Sequence, residues 1–549
     1  MTKILAASLG ECVHVAGIMN FLRLAEDQGH ETEFLGPATS IEEFIGAIRE
    51  VDPDIVAVSY RLTPETAESL LEEFKQALEE AGLAQRRFCF GGTPPVVEAA
   101  RKLDFFEMTF SGEEPVEHVI SYIKGQDPTE LKESDFAAKI IPRMENKKPF
   151  PVIRHHFGLP AETIEPTLEG IKKIADAQVL DVISLGPDQD AQENFFHPER
   201  INPSRRGAGG VPVRTEDDFK ALYEATRRGN FPLMRSYSGT KDLLEYAEML
   251  CRTIRNAWCA TSTFWFNALD KRGPMLLEES INEHFKLMAW HGREDVPVEG
   301  NESHHWELRN GHDVVAVVSS YISAYGCKKA GVKDYIAPYM FNTPPHLSDK
   351  MDLAKMLAKA EMIESLEDRS FRCYRQTRTG LLSYPVDLDY ANGQLGASIY
   401  LQMAMKPDII HVVASCEANH AARPEDIIES CKMARQIIQK CIYGMPDMTV
   451  DPEIQERKTV LMEEAKQLLE AIRSLGSESD EDPLFDAAVL AKAVKVGLLD
   501  APQLKGNPLA CGQVETKIHN GANYAVDPET KEILTEEERI EKVFANWRE

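Results

Sequence analysis

Short apolar runs recur along this chain and alternate with stretches of helical period. Over residues 1–124 the runs are KILAASL, TEFLG, DIVAVSY, RFCFGG and EMTFSG. Between them lie segments such as PETAESLLEEFKQALEEAG, whose apolar positions return every three or four residues. Five βα units of this size predict an open, doubly wound parallel sheet of the Rossmann or flavodoxin-like kind. Residues 125–148 are charged and carry no strong period, and read as a linker. A second series fills 149–442, with eight strand candidates: PFPVIRHHF, LDVISLG, FPLMRSYS, AWCATSTFWF, VPVEGNESHH, DYIAPYMFN, SFRCYRQT and DIIHVVASCE. Helical stretches such as DLLEYAEMLCRTIRN separate most of them, which predicts a (β/α)8 TIM barrel. Residues 443–549 change character: a charged helix, the acidic turn GSESDEDP, then a Gly- and Asn-rich tail, read as a helical and partly irregular extension. The fold class expected is therefore α/β, a doubly wound sheet followed by a barrel.

Composition narrows the function classes. Hydrophobic residues make up 43% and charged residues 27%, as in folded globular chains. A net charge of −28 argues against nucleic acid or an anionic membrane as partner. It leaves an anionic substrate open, because a buried arginine cluster can oppose the global sign. The start, MTKILAASLG, has too short an apolar run for a signal peptide, and no run of transmembrane length follows. The ten cysteines include no CxxC pair, which disfavours zinc ribbons and thioredoxin chemistry. Reduced thiols in a cytoplasmic protein fit best.

Candidate chemistry concentrates at strand ends. In a barrel the site lies at the C-terminal ends of the strands. Those ends here carry Arg154-His155-His156, Asp188, Arg235, Thr261, His304-His305, Asn342, Arg375 and Glu417. Polar residues also simply mark where strands stop, which is the bland reading of any one of them. In the first domain, strand one runs into Gly10-Glu11-Cys12-Val13-His14-Val15-Ala16-Gly17, strand three ends in Ser59-Tyr60-Arg61-Leu62, and strand four in Gly91-Gly92. A lone loop histidine is ordinarily structural. Three such segments bordering one crevice of a doubly wound sheet change that reading.

Together these segments resemble the B12-binding domain of glutamate mutase, methylmalonyl-CoA mutase and methionine synthase, whose pattern is D-x-H-x-x-G, S-x-L and G-G. The resemblance implies a cobalamin cofactor with His14 as the axial cobalt ligand in place of the dimethylbenzimidazole. It further implies that Gly17, Ser59, Gly91 and Gly92 accommodate the displaced nucleotide tail. Two departures stand out: Cys12 occupies the Asp position, and Arg61 the leucine of S-x-L. From about Pro149 onward the chain resembles the large subunit of glutamate mutase. The likeness is carried by the tail Gly497-Leu498-Leu499-Asp500-Ala501-Pro502, Asn507-Pro508-Leu509-Ala510 and Ile518-His519-Asn520-Gly521. It implies a carboxylate-binding arginine claw formed by Arg154, Arg205 or Arg206, and Arg235. It also implies cofactor contacts from Glu417 and Tyr374.

That family's glutamate after strand four has no counterpart in Cys259-Ala260-Thr261-Ser262-Thr263-Phe264. His155, His156, His304 and His305 remain as acid–base candidates, since imidazole titrates near neutral pH. The resulting expectation is an adenosylcobalamin-dependent mutase, forming a homodimer, that rearranges a small carboxylic acid other than glutamate. The alternatives are a methylcobalamin-dependent methyltransferase and a non-enzymatic cobalamin carrier or sensor.

Overall fold

The computed structural model describes residues 2–126, 131–237, 239–477 and 481–548. Residues 127–130 of the expected linker and 478–480 of the acidic turn lie outside the described residues. The chain divides into two compact units, Met1–Lys132 and Glu133–Glu549.

In the first unit the five apolar runs form β1 (Lys3–Leu9), β2 (Glu31–Thr39), β3 (Ile55–Ser59), β4 (Arg87–Gly91) and β5 (Met108–Phe110). All neighbours are parallel, in the order β2-β1-β3-β4-β5. β3 is buried along its whole length, as a central strand covered on both faces must be. The helix Pro64–Glu80 begins where the sequence signals it: Thr63 caps the Thr66 N–H, and Pro64 takes the first turn. Strand order reverses between β1 and β3, so the crevice above their C-terminal ends is the expected ligand position. One face of the sheet carries Leu5, Ala7, Leu9, Val56, Val58, Phe88 and Phe90 into an apolar core. By alternation, Ser8, Ser59 and Gly91, which share a register row across β1, β3 and β4, face the other side.

The second unit is an eight-stranded parallel barrel. Its strands are β6 (Val152–Phe157), β7 (Val182–Leu185), β8 (Leu233–Ser236), β9 (Cys259–Thr261), β10 (Val298–Gly300), β11 (Asp334–Phe341), β12 (Arg372–Thr379) and β13 (Ile409–His411). Pairing is continuous from β8 through β7, β6, β13, β12, β11 and β10 to β9. The ring closes between β8 and β9 through a single parallel bridge, Tyr237 to Ala260.

The stretch 125–148 departs from the linker reading. Residues 140–147 form a helix whose Ile140 and Met144 pack against Val152, Val182, Leu233, Trp258, Ile336, Tyr374 and Ile409 at the N-terminal end of the barrel. Arg143 ties this plug down by donating to the carbonyls of Ala137, Asn230 and Phe231. The helix carries no clear period because an apolar residue and an arginine are both buried on it.

The C-terminal residues join the barrel core. Leu461, Ala465 and Leu468 of the helix Pro452–Arg473 are buried in one cluster with Val317 and Leu353 of the barrel's outer helices. A buried charge network reinforces that seam. Lys355 lies 2.9 Å from Glu307 and 3.3 Å from Asp352, Lys359 lies 2.8 Å from Glu307, and Arg457 lies 3.1 Å from Asp313.

Candidate functional site

The first unit builds a ligand-ready edge. His14 is exposed on the loop leaving β1, just before the helix Ala16–Asp27. The buried Cys12 places Sγ 3.9 Å from His14 Nδ1, so the thiol stands where the resemblance expects a carboxylate and leaves Nε2 free. Backbone contacts hold this loop: the Ala38 N–H donates to the Cys12 carbonyl at 3.0 Å. Ser59 Oγ is buried at the end of β3 without a hydrogen-bond partner, and so is Ser8 Oγ beside it. An unmet buried hydroxyl is costly, and a polar ligand tail running along this row would satisfy both. A Cβ on Gly92 would come within 2.7 Å of the Tyr60 carbonyl, so only glycine fits there. Gly91 and Gly17, by contrast, face open space or loose contact, leaving room for a ligand rather than for neighbouring chain. Val13, Met19 and Leu62 are exposed apolar side chains around the same edge. The residues present thus fit a cobalamin: one free imidazole nitrogen, orphaned hydroxyls, small residues where a tail would pass, and an apolar rim.

The barrel lumen is layered by the period of its strands. Along β6, Val152, Arg154 and His156 point inward, while Ile153 and Phe157 enter the outer core. Above the plug layer a polar layer spans the lumen. Arg154 donates to Gln376 Oε1 at 2.7 Å, Ser184 Oγ at 2.9 Å and Glu299 Oε1 at 3.1 Å. Arg235 donates to Ser184 Oγ at 3.0 Å and lies 3.6 Å from Glu299 Oε2. Glu299 also accepts from Trp258 Nε1 at 2.6 Å. All three charges are sealed from solvent, at 1%, 0% and 0% side-chain exposure for Arg154, Arg235 and Glu299. Burial would raise the Glu299 carboxyl, but the two arginines outweigh it and hold the group below the usual range. Burial and the like charge of Arg235 bring Arg154 down to about 9, which leaves it cationic at neutral pH. Arg235 keeps both terminal nitrogens buried with no acceptor.

The structure brings Arg154 and Arg235 together and leaves the other claw arginines out. Arg205 is held by Glu193 at 3.2 Å, and Arg206 is exposed and donates to the Glu162 carbonyl. Both lie on a 3-10 turn and loop rather than a strand, so no alternation points them into the lumen. The third lumen arginine is Arg378, two residues beyond Gln376 on the inward face of β12. Tyr374 sits at the opposite end of β12, in the N-terminal plug layer, with its hydroxyl 3.3 Å from Asp334. That end lies opposite the C-terminal strand ends, where the site of such a barrel is expected. Glu417 is exposed on the turn after β13, within the field of Arg378.

The histidines separate in the same way. His155 points outward, its Nε2 accepting from the Ala414 N–H at 2.9 Å and its Nδ1 bound to the His156 carbonyl, so both nitrogens are committed to backbone. His305 is wedged against Trp265 and Phe266, with Arg272 3.3 Å from Nδ1. His156 faces the lumen, 3.4 Å from both Arg154 Nη1 and the Tyr237 hydroxyl, and packs on His411. His304 is buried with Nε2 unpartnered. Burial and then neighbouring cations push His156, His304 and His305 well below the usual range, and burial takes His155 to about 4. All four are neutral at physiological pH, and His155 has no nitrogen left over for proton transfer.

Sequence reasoning passed over Ser184, Glu299, Gln376 and Arg378. Glu299 was detectable as a lone charge inside the apolar run VPVEG. Thr261, Ser262, Tyr237 and Ala260 line a cavity at the β8–β9 seam with room for about one water.

Comparison with known proteins agrees with the first unit. Residues 2–120 match the B12 binding domain, so the chain carries a cobalamin-binding domain. A solved cobalamin-binding protein from Desulfitobacterium hafniense DCB-2 is 26% identical over 22% of this chain, with a TM-score of 0.20, and the chain spans 56% of that protein's length. Over the barrel, a rubisco-like protein from Burkholderia fungorum is 12% identical, covering 60% of this chain and 72% of its own at a TM-score of 0.36. Tryptophan synthase from M. tuberculosis is 11% identical, covering 55% and 99% at a TM-score of 0.32. At these TM-scores they add nothing to the sheet and barrel described above. No curated protein matches the chain. The barrel's likeness to glutamate mutase rests on sequence motifs alone. Among the described residues no helix is long and apolar enough to cross a membrane.

Proposed function

We propose that the protein is a cobalamin-dependent enzyme acting on a small carboxylic acid in the barrel lumen, and specifically an adenosylcobalamin-dependent mutase. The observation that carries the substrate class is Arg235, whose two terminal nitrogens are buried without a hydrogen-bond acceptor, Nη2 having only the 3.6 Å ion pair with Glu299. A guanidinium recognises a carboxylate through two parallel charge-assisted hydrogen bonds, which is the pair of donors left unused. Charge balance supports the same reading. Among the described residues three arginines, Arg154, Arg235 and Arg378, meet two carboxylates, the buried Glu299 and the exposed Glu417, which leaves one positive charge over, and the neighbouring histidines are neutral. A substrate anion offsets that surplus, whereas a substrate ammonium would add to it.

Bound adenosylcobalamin would supply the radical that starts a carbon-skeleton rearrangement. The chain's own residues do the rest. Arg235 orients the carboxylate, Arg154 and Gln376 fix the layer beneath it, and His156 and Tyr237 close over the guanidiniums and exclude water. Thr261 Oγ1, buried and unpartnered at the seam, suits a hydroxyl or carbonyl on the substrate better than an amine. Glutamate is for these reasons disfavoured as a substrate.

The test is incubation of the full chain with adenosylcobalamin and methylcobalamin in turn, followed by gel filtration and anaerobic assay. Stoichiometric corrinoid retention and mass-neutral isomerisation of an amine-free small acid are expected with the adenosyl form. Methyl transfer from the methyl form, with no isomerisation, would overturn the mutase reading. Corrinoid retention with no turnover of any acid would leave a carrier and overturn the enzyme reading.

A further inference from the structure

The turn that leaves β13 holds three donors of different kinds. Cys416, His420 and Asp426 place Sγ, a ring nitrogen and a carboxylate oxygen all within 4.8 Å of one another. The local chain makes this arrangement. The His420 N–H donates to the Cys416 carbonyl at 2.9 Å, a helical i, i+4 bond that sets the two side chains on one face. Asp426 lies in the first turn of the helix Pro424–Ile442, where the Arg423 N–H donates to its Oδ2 at 2.8 Å.

The tautomer of His420 is fixed from outside. Asn419 Nδ2 donates to the Val386 carbonyl at 3.0 Å, which turns Asn419 Oδ1 toward His420 Nδ1 at 2.9 Å. Nδ1 therefore carries the proton, and in the neutral ring the lone pair of Nε2 faces Asp426 Oδ2 at 3.1 Å. A metal ion between Nε2 and Oδ2 would have the thiol as a third donor, since Sγ, the ring nitrogen and the carboxylate oxygen lie within 4.8 Å of one another.

We infer that Cys416, His420 and Asp426 form a zinc site at the C-terminal face of the barrel. A thiolate, an imidazole and a carboxylate make a borderline-soft donor set that selects Zn2+ over Mg2+ or Ca2+. Tetrahedral zinc sets its ligands about 3.3–3.6 Å apart. His420 and Asp426 are already close to that spacing at 3.1 Å, and Cys416 Sγ lies within 4.8 Å of both. Thiolate and carboxylate together neutralise the ion. Asn419, bound to Nδ1, is the outer partner that orients the ring. Three protein ligands leave the fourth position to water or to an exchangeable thiol or carboxylate, the pattern of reactive rather than purely structural zinc. The site shares no residue with the His14 edge, and its failure would leave the cobalamin reading standing.

The test uses full-length, cobalamin-free protein equilibrated with Zn2+, freed of excess metal and measured by elemental mass spectrometry. One zinc per chain is expected, falling to background in Cys416→Ser and His420→Gln. Replacing Zn2+ by Co2+ should add sulfur-to-cobalt charge-transfer absorption that Cys416→Ser lacks. Asn419→Ala, which touches no ligand atom directly, should weaken zinc binding about 10–100-fold without altering the far-ultraviolet circular dichroism. Zinc retained equally by wild type and Cys416→Ser, or by neither, would overturn the site and leave His420 and Asp426 as a hydrogen-bonded pair.

Discussion

Replacing Glu299 by Gln tests the lumen directly, because it removes charge and almost no volume. In the wild type the carboxylate lies 3.1 Å from Arg154 and 3.6 Å from Arg235. At an effective dielectric of about 20, each contact is worth about 5 kcal/mol of Coulomb attraction. Desolvating the carboxylate returns several kcal/mol of that gain. What remains is the cost of two buried guanidiniums facing each other without a counter-charge. The expected loss is about 3–5 kcal/mol, the usual cost of breaking a buried pair. That is a large share of the roughly 5–15 kcal/mol that holds a domain folded. Urea denaturation followed by tryptophan fluorescence reads it well, since Trp258 donates to Glu299. Acetate should restore part of the loss in the variant, by about 1.4 kcal/mol once it reaches ten times its dissociation constant. Acetate should do little to the wild type in the same range. A variant within 1 kcal/mol of the wild type and indifferent to acetate would refute the charge argument, and with it the carboxylate substrate class.

Other expectations follow from single residues. Cys12→Asp should tighten cobalamin binding or leave it unchanged, measured by corrin absorbance titration, because a carboxylate supports an axial imidazole better than a thiol does. Burial raises Glu302 from 4.5 to about 8, so the folded chain keeps a proton that the unfolded chain releases. Its contribution to stability is full below pH 4.5 and is lost as pH rises through about 8, by at most about 1.4 kcal/mol per pH unit; Glu302→Gln should flatten that slope in urea melts taken across the window. Lys355→Met should cost about 3–5 kcal/mol by leaving Asp352 buried without its cation and Glu307 with Lys359 alone, and restoring stability by adding Asp352→Asn would show that charge rather than packing was lost.

The fold was largely legible because strand period and helix period alternate so regularly. All thirteen apolar runs became strands, in the parallel orders the βα rhythm implies. The helix at 140–147 was not, since a plug that buries Arg143 breaks the amphipathic pattern that would have exposed it. Within the sites, residue type alone was a weaker guide than position on a strand. Arg154, His155 and His156 read as one cluster in sequence, yet alternation divides them between lumen and wall. Arg205 and Arg206 matched by residue type but lie on a loop with partners of their own. Tyr374 and Arg378 share one strand and one face, and only distance along β12 separates the plug layer from the catalytic end. Glu299 lies inside the apolar run of the fifth barrel strand, where strand period alone does not mark a lone charge as facing the lumen. Of the edge around His14, the placement on the loops after β1, β3 and β4 was legible, because the crevice of a doubly wound sheet draws its residues from those loops.

The central claim is that His14 takes up the cobalt of a bound cobalamin. Electron paramagnetic resonance of the Co(II) form, grown with 15N-histidine, measures that bond through the nitrogen splitting of the cobalt lines. A change from the three-line 14N pattern to the two-line 15N pattern is predicted, with the pattern lost in His14→Ala. Splitting that remains 14N in the labelled protein would show benzimidazole still on the metal and contradict the account.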